Sequence, residues 1–378
     1  MARVASSTTA GDKAAAHAVF FPFPAQGHVA PALHLAKLLH IRDGVRVTFV
    51  HSHRNSRRVL RSQGPDALAC SAGFRFVAVP DGLPPPSGDD GKEVGDSPQH
   101  MAALLYSIEA SLPHLKDLLD GAAASGAAAS GAPVTCVVSD IECVLRATKE
   151  MGLPAVAFWT TSACGLMSCM QCPELINRGF VPLKGKYMYN AEQLRNGYLD
   201  STVIDWVPGM PADMRLRDFV SFIRTTDPDD AVLRSVLGVM DSIRTAASAV
   251  VFNTLDELED ELEGELDNYQ QGAGLHHDLV PAGGASVPAC PCCAGPSALI
   301  STPTAGSPAC TEWRVGVEVA GDVRRAEVET LVKDVMGGEK GMEMRRRAAE
   351  WKERAAAATE PGGSSWVNLE RLAKEAFR

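Results

Sequence analysis

The 378-residue chain predicts a doubly wound α/β fold built on a parallel sheet. Three observations predict it. Short runs rich in Val, Phe and Thr alternate with helix-like segments through the first two-thirds of the sequence. Several of those runs are apolar almost without a break, as strands covered on both faces are. The length, at roughly 100–200 residues per domain, favours two domains over one.

The first strand is read at "HAVFFPFP", an apolar run broken by Pro22 and Pro24. In the helix that follows, "VAPALHLAKLLH", Ala32, Leu35, Ala36 and Leu39 fall on one face at helical spacing. "VRVTFVHS" and "FRFVAVP" are the next strands, and "SPQHMAALLYSIEASLPHLKDLLDG" is a long helix. The low-complexity piece "GAAASGAAASGAP" reads as a flexible surface loop. Beyond it come the strand "VTCVVSD", the helix "ECVLRATKEMG", the strand "PAVAFWTT", the helix "DAVLRSVLGVMDSIRTAA" and the strand "SAVVFNT". An acidic helix-like run, "NTLDELEDELEGELDNYQ", ends the regular alternation.

The character then changes. A stretch dense in Gly, Ala, Pro and Ser cannot bury enough apolar surface to offset its ordering entropy, so 268–309 is expected to be a disordered insert. Residues 1–16 are expected to be disordered as well. From Thr311 regular pattern returns, with a strand at "EWRVGVEVAG" and helices at "RAEVETLVKDVMG", "GMEMRRRAAEWKERAAAA" and "PGGSSWVNLERLAKEAFR".

Composition narrows the function classes. Hydrophobic residues make up 46% and charged residues 22%, as in ordinary globular proteins. A formal net charge of -10 argues against nucleic acid as a partner, because phosphate binding needs clustered Lys and Arg. The basic runs "RNSRRVLR" and "RRRAAEWKER" have the spacing of solvated helix faces. No run approaches the roughly 18 consecutive apolar residues of a membrane span, and no secretory signal is evident. The ten cysteines are scattered, several of them inside apolar elements, which reads as reduced thiols in the cytoplasm.

In a doubly wound sheet, ligands bind outside the carboxyl ends of the strands. That rule selects His28 after the first strand, Asp140 at the end of "VTCVVSD", Thr160 and Thr161 at the end of "PAVAFWTT", and His51 and His53 at the end of "VRVTFVHS". A histidine titrates near neutral pH and can take a proton. A carboxylate on its other ring nitrogen would fix the tautomer and stabilise the cation formed, as in the serine-protease triad. Asp140 is the carboxylate best placed to serve His28. A general base and a plain turn histidine both remain open for His28 at this point. His51 and His53 read more simply as polar residues leaving the core. His276 with Cys290, Cys292, Cys293 and Cys310 lacks paired zinc-ligand spacing. There is no G-x-S-x-G elbow, Walker A loop or G-x-G-x-x-G turn.

The segments "FPFPAQGHVAPALHLAKLLH", "VTFVHSHRNSRRVLRS", "FRFVAVPDGLPP", "CVVSD", "FWTTSACG", "MRLRDFVSFIRTTDPDD" and "VVFNTLDELE" closely resemble the plant UDP-dependent glycosyltransferases that glucosylate small molecules. The likeness runs from about His17 to about Asp267 and resumes at "ACTEWRVGVEVAGDVRRAEVETLVKDVMGGEKG". It implies a GT-B-like fold of two Rossmann-like domains, the first holding the acceptor and the second the sugar nucleotide. It implies that His28 is the base on the acceptor hydroxyl, that Asp140 orients and charge-compensates it, and that Gly27 and Thr160 contact substrate, with Thr160 reaching the donor sugar. The reaction implied is an inverting transfer of glucose from UDP-glucose to a flavonoid-like or other plant metabolite. It needs no metal or cofactor, and the protein is expected to be a monomer.

The departures are equally specific. The family's donor-binding signature, from a "WCPQ"-like start through "HSGWNS", is absent, as is the glycine-rich strand that opens the second domain. The domains are therefore expected as an N-terminal acceptor domain at 17–267, the insert at 268–309, and a remnant of the donor domain with tail helices at 310–378. The tail helices are expected to dock on the first domain. The alternative function is a catalytically inactive truncated product or an acceptor-binding module.

Overall fold

The computed structural model describes residues 16–69, 71–83, 98–124, 133–185, 192–207, 214–256, 276–279, 315 and 324–377. Seven strands form one sheet: β1 (His17–Phe20), β2 (Arg46–Ser52), β3 (Phe74–Val79), β4 (Cys136–Ser139), β5 (Ala155–Trp159), β6 (Ala249–Phe252) and β7 (His276–Leu279). Their order is β3-β2-β1-β4-β5-β6-β7 and every pairing is parallel. The chain thus winds outward from β1 in one direction, then restarts at β4 and winds in the other. The reversal between β1 and β4 opens a crevice at their carboxyl ends.

Helices cover both faces. They are α1 (Gln26–Asp43), α2 (His53–Gln63), α3 (Pro98–Ala124), α4 (Glu142–Glu150), α5 (Ala163–Met170), α6 (Cys172–Asn177), α7 (Tyr198–Ser201), α8 (Ala231–Thr245), α9 (Arg325–Gly337), α10 (Glu339–Thr359) and α11 (Ser364–Glu375). Alternation along the strands sends side chains to opposite layers. Ala18 and Phe20 pack with Leu35 and Leu39 of α1, whereas Val19 and Val137 pack with Ile108, Leu115 and Val144 from α3 and α4. Ala32, Leu35, Ala36 and Leu39 are the buried face of α1, as their spacing predicts. Gly44 ends that helix with a φ of 68°, in the left-handed region glycine tolerates best, and its N–H donates to the Leu39 carbonyl.

Helix starts follow their chemistry. The Asp230 carboxylate accepts from the Val232 and Leu233 amides at the head of α8, at 2.9 and 3.0 Å. The Ser162 hydroxyl accepts from the Gly165 amide at the head of α5.

The last helix returns to the first layer. Leu369, Leu372 and Phe377 are buried in the same cluster as the inner face of α1. Arg42 of α1 lies over the Trp366 ring, 4.2 Å from its centroid, and Asn368 donates to Asp256 at 3.0 Å. By contrast, α9 has no buried residue, and Val332 and Met336 on it are exposed.

One point departs from the sequence reading. His276–Leu279, inside the stretch 268–309 expected to be disordered, is the strand β7. Its pairing satisfies the backbone groups that β6 would otherwise leave at a bare sheet edge, and such pairing needs no apolar pattern to announce it. The remaining residues of that stretch, the N-terminal 1–15 and the strand read at "EWRVGVEVAG" apart from Val315 lie outside the described residues.

Candidate functional site

Three strand ends converge at the crevice. His28 sits in the first turn of α1, Asp140 directly follows β4, and Thr160 directly follows β5. His28 Nδ1 hydrogen-bonds Asp140 Oδ2. The other carboxylate oxygen, Oδ1, accepts from the Phe23 backbone N–H at 2.7 Å. Asp140 is thereby fixed by two elements at once, with only 6% of its side chain exposed against 17% for His28.

A carboxylate accepts only, so Nδ1 carries the hydrogen and Nε2 holds the free lone pair. Among the described residues no partner takes Nε2. The Phe23 ring lies 5.0 Å from the imidazole and limits its rotation. The Thr160 hydroxyl stands 3.4 Å from Nδ1, and its own carbonyl accepts from the Asn253 side chain at 3.1 Å.

These groups form the polar pole of a cavity of about 120 Å³. Leu105 of α3, Trp159 of β5 and Phe222 line it, and so does one face of α8. That face carries Val232, Ser235, Val236 and Val239, spaced i, i+3, i+4 and i+7, whereas Leu233, Met240 and Ile243 on the same helix point into the core. Thr161 and Cys169 complete part of the wall, the Thr161 hydroxyl being buried without a partner. Cys169 is a fully buried thiol whose ionisation burial opposes, and Cys172 beside it is pushed up to about 12 for the same reason.

The other candidates lie elsewhere. Gly27 is exposed on the turn before His28, with open space where a side chain would stand, and it does not line the cavity. Pro31 lacks the amide that the Gly27 carbonyl would otherwise receive four residues on. His51 is buried against Phe49 and Phe76, and burial, with His53 adding, pushes it down to about 4. His53 opens α2 on the surface. Of the cysteine–histidine set, only the His276 backbone is described, and Cys290, Cys292, Cys293 and Cys310 lie outside the described residues. Among the described residues no three His, Cys, Asp or Glu side chains group as metal ligands do.

Sequence reasoning missed Phe23, Asn253 and the α8 face. Asn253 was available to the strand-end rule, since it directly follows β6. The α8 face was available in the second apolar stripe of "AVLRSVLGVMDSI". Phe23 holds Asp140 through its backbone amide, a contact that leaves no side-chain signal.

No family model matches the chain. A 7-deoxyloganetin glucosyltransferase of Gardenia jasminoides is 32% identical, with 94% of this chain and 96% of that protein covered. An (R)-mandelonitrile beta-glucosyltransferase of Prunus dulcis is also 32% identical, over 94% of this chain and 96% of its own. Each alignment is longer than this chain, 482 and 484 positions against 378 residues, so more than about a hundred positions of each relative face a gap here. Among solved structures, Phytolacca americana UGT2 complexed with UDP-2fluoro-glucose and pterostilbene superposes with a TM-score of 0.69 at 14% identity, over 96% of this chain and 100% of that one. That likeness carries the GT-B fold. At 32% identity along nearly its whole length, the chain belongs to the plant UDP-glycosyltransferases.

Proposed function

We propose that this protein transfers glucose from UDP-glucose to a hydroxyl of a small plant metabolite, with His28 as the general base. The observation that carries the reading is the His28–Asp140 hydrogen bond, which engages Nδ1 and leaves Nε2 without a partner among the described residues beside an apolar cavity. In the reaction, Nε2 takes the acceptor O–H proton and the oxygen attacks the anomeric carbon from the side opposite the leaving group. The bond from that carbon to the UDP oxygen breaks, UDP departs and the configuration inverts. Asp140 stabilises the imidazolium formed on the way. On this reading Thr160 and Gly27 contact substrate, Thr160 from beside the base and Gly27 from outside the cavity wall.

Residues 17–267 form the acceptor domain and 310–378 the remnant of the donor domain on this reading. The protein is a cytoplasmic monomer on this reading; among the described residues no helix is long and apolar enough to cross a membrane. Sedimentation of the purified chain tests the monomer.

A second reading, an acceptor-binding module without transfer activity, is favoured by one observation: the gap of more than about a hundred positions against both relatives. Without donor contacts, the proximity that makes displacement fast is lost. Radiolabelled UDP-glucose with a panel of alcohols, run beside calorimetric titration of UDP, separates the two. Transfer that falls at least about a hundredfold in His28→Ala supports the transferase. Absence of UDP binding at millimolar concentration leaves the binding module.

A further inference from the structure

The acceptor cavity has two hydroxyls that the reaction does not use, those of Thr161 and Ser235, and Ser235 is the one on α8. Ser235 lies midway along the α8 face, flanked by Val232, Val236 and Val239. Its hydroxyl has no hydrogen-bond partner among the described residues. A serine in a helix usually turns its hydroxyl back to a carbonyl of the preceding turn, as Ser242 further along α8 does to Val239 at 2.9 Å. Ser235 does not.

Size adds a second constraint. A cavity of about 150 Å³ lined by aliphatic and aromatic side chains accommodates benzene, and this one measures about 120 Å³. That volume is of the order of one ring, and His28 lies on its wall.

We propose that Ser235 is a specificity-determining residue. It selects compact, one-ring-sized alcohols that carry a second polar group, held by the Ser235 hydroxyl while the reacting hydroxyl lies at His28 Nε2. This deepens the acceptor reading above, and its test is a binding measurement that needs no donor. An unpaired hydroxyl that gains one hydrogen bond gains about 1 kcal/mol, or about fivefold in affinity.

The experiment is ligand-observed NMR titration of the full chain with styrene glycol, benzyl alcohol and a three-ring flavonol. Styrene glycol is expected to bind about fivefold more tightly than benzyl alcohol, and Ser235→Ala to erase that difference while leaving benzyl alcohol unchanged. Val236→Trp is expected to exclude both one-ring alcohols, with thermal unfolding verifying that the variant folds. Equal loss of both alcohols in Ser235→Ala, no preference in the parent chain, or flavonol binding that survives Val236→Trp would overturn the proposal. Failure of glucose transfer with the styrene glycol preference intact would count against the transferase reading alone.

Discussion

His28 and His51 show how one residue type takes two states within one sheet. Both follow or end a strand, yet His28 keeps a carboxylate partner and a free nitrogen, whereas His51 is packed between phenylalanines. The depressed His51 value has a consequence for stability. Folded, the ring titrates near 4, and unfolded near its ordinary 6.5. Between those values the unfolded chain binds more protons, so stability falls as pH drops through that window and this contribution is spent below it. The loss is at most about 3 kcal/mol. Urea midpoints measured from pH 7 down to pH 4 (roughly the range of the two values) are expected to fall less steeply in His51→Gln than in the parent chain. Parallel slopes would show that His51 is solvated and titrates normally.

Elements decide where such residues point, and most of them were legible. Continuous apolar runs marked β1, β2, β4, β5 and β6, and the strand-end rule then found His28, Asp140 and Thr160. What was not legible depended on the backbone. β7 reads "HHDL", with no alternation to mark it, and the Phe23 amide that steadies Asp140 belongs to every residue type except proline. Turns sit between these extremes. Gly82 follows Asp81, whose carboxylate accepts from the Arg54 amide at the head of α2 and from Leu83. Its φ is 64°, and an added Cβ would stand 2.8 Å from Ala110 Cβ on α3. Gly82→Ala is therefore expected to lower stability by about 1–3 kcal/mol, read as a drop in thermal midpoint. An unchanged midpoint would mean that α3 can yield at that contact.

At the scale of the molecule, the last helix is part of the first layer. Phe377 is fully buried among Leu35, Leu39 and Leu372, so Phe377→Ala is expected to cost about 3 kcal/mol or more. Denaturant unfolding checks this, and a loss below about 1 kcal/mol would mean that the tail frays without disturbing α1. Domain organisation was the least legible property. The family resemblance suggests an acceptor domain at 17–267, but the sequence offers no pattern from which to read how the helices α9 and α10 are covered.

The clasp of α11 on α1 also sets an order in time. Residues 364–377 are synthesised after every other described element, yet they cover the inner face of the helix whose first turn carries His28. While the chain is still emerging from the ribosome, Leu35 and Leu39 lack their lid and α1 is held from one side only. His28 therefore sits on a helix whose inner face is completed only after residues 364–377 have been made.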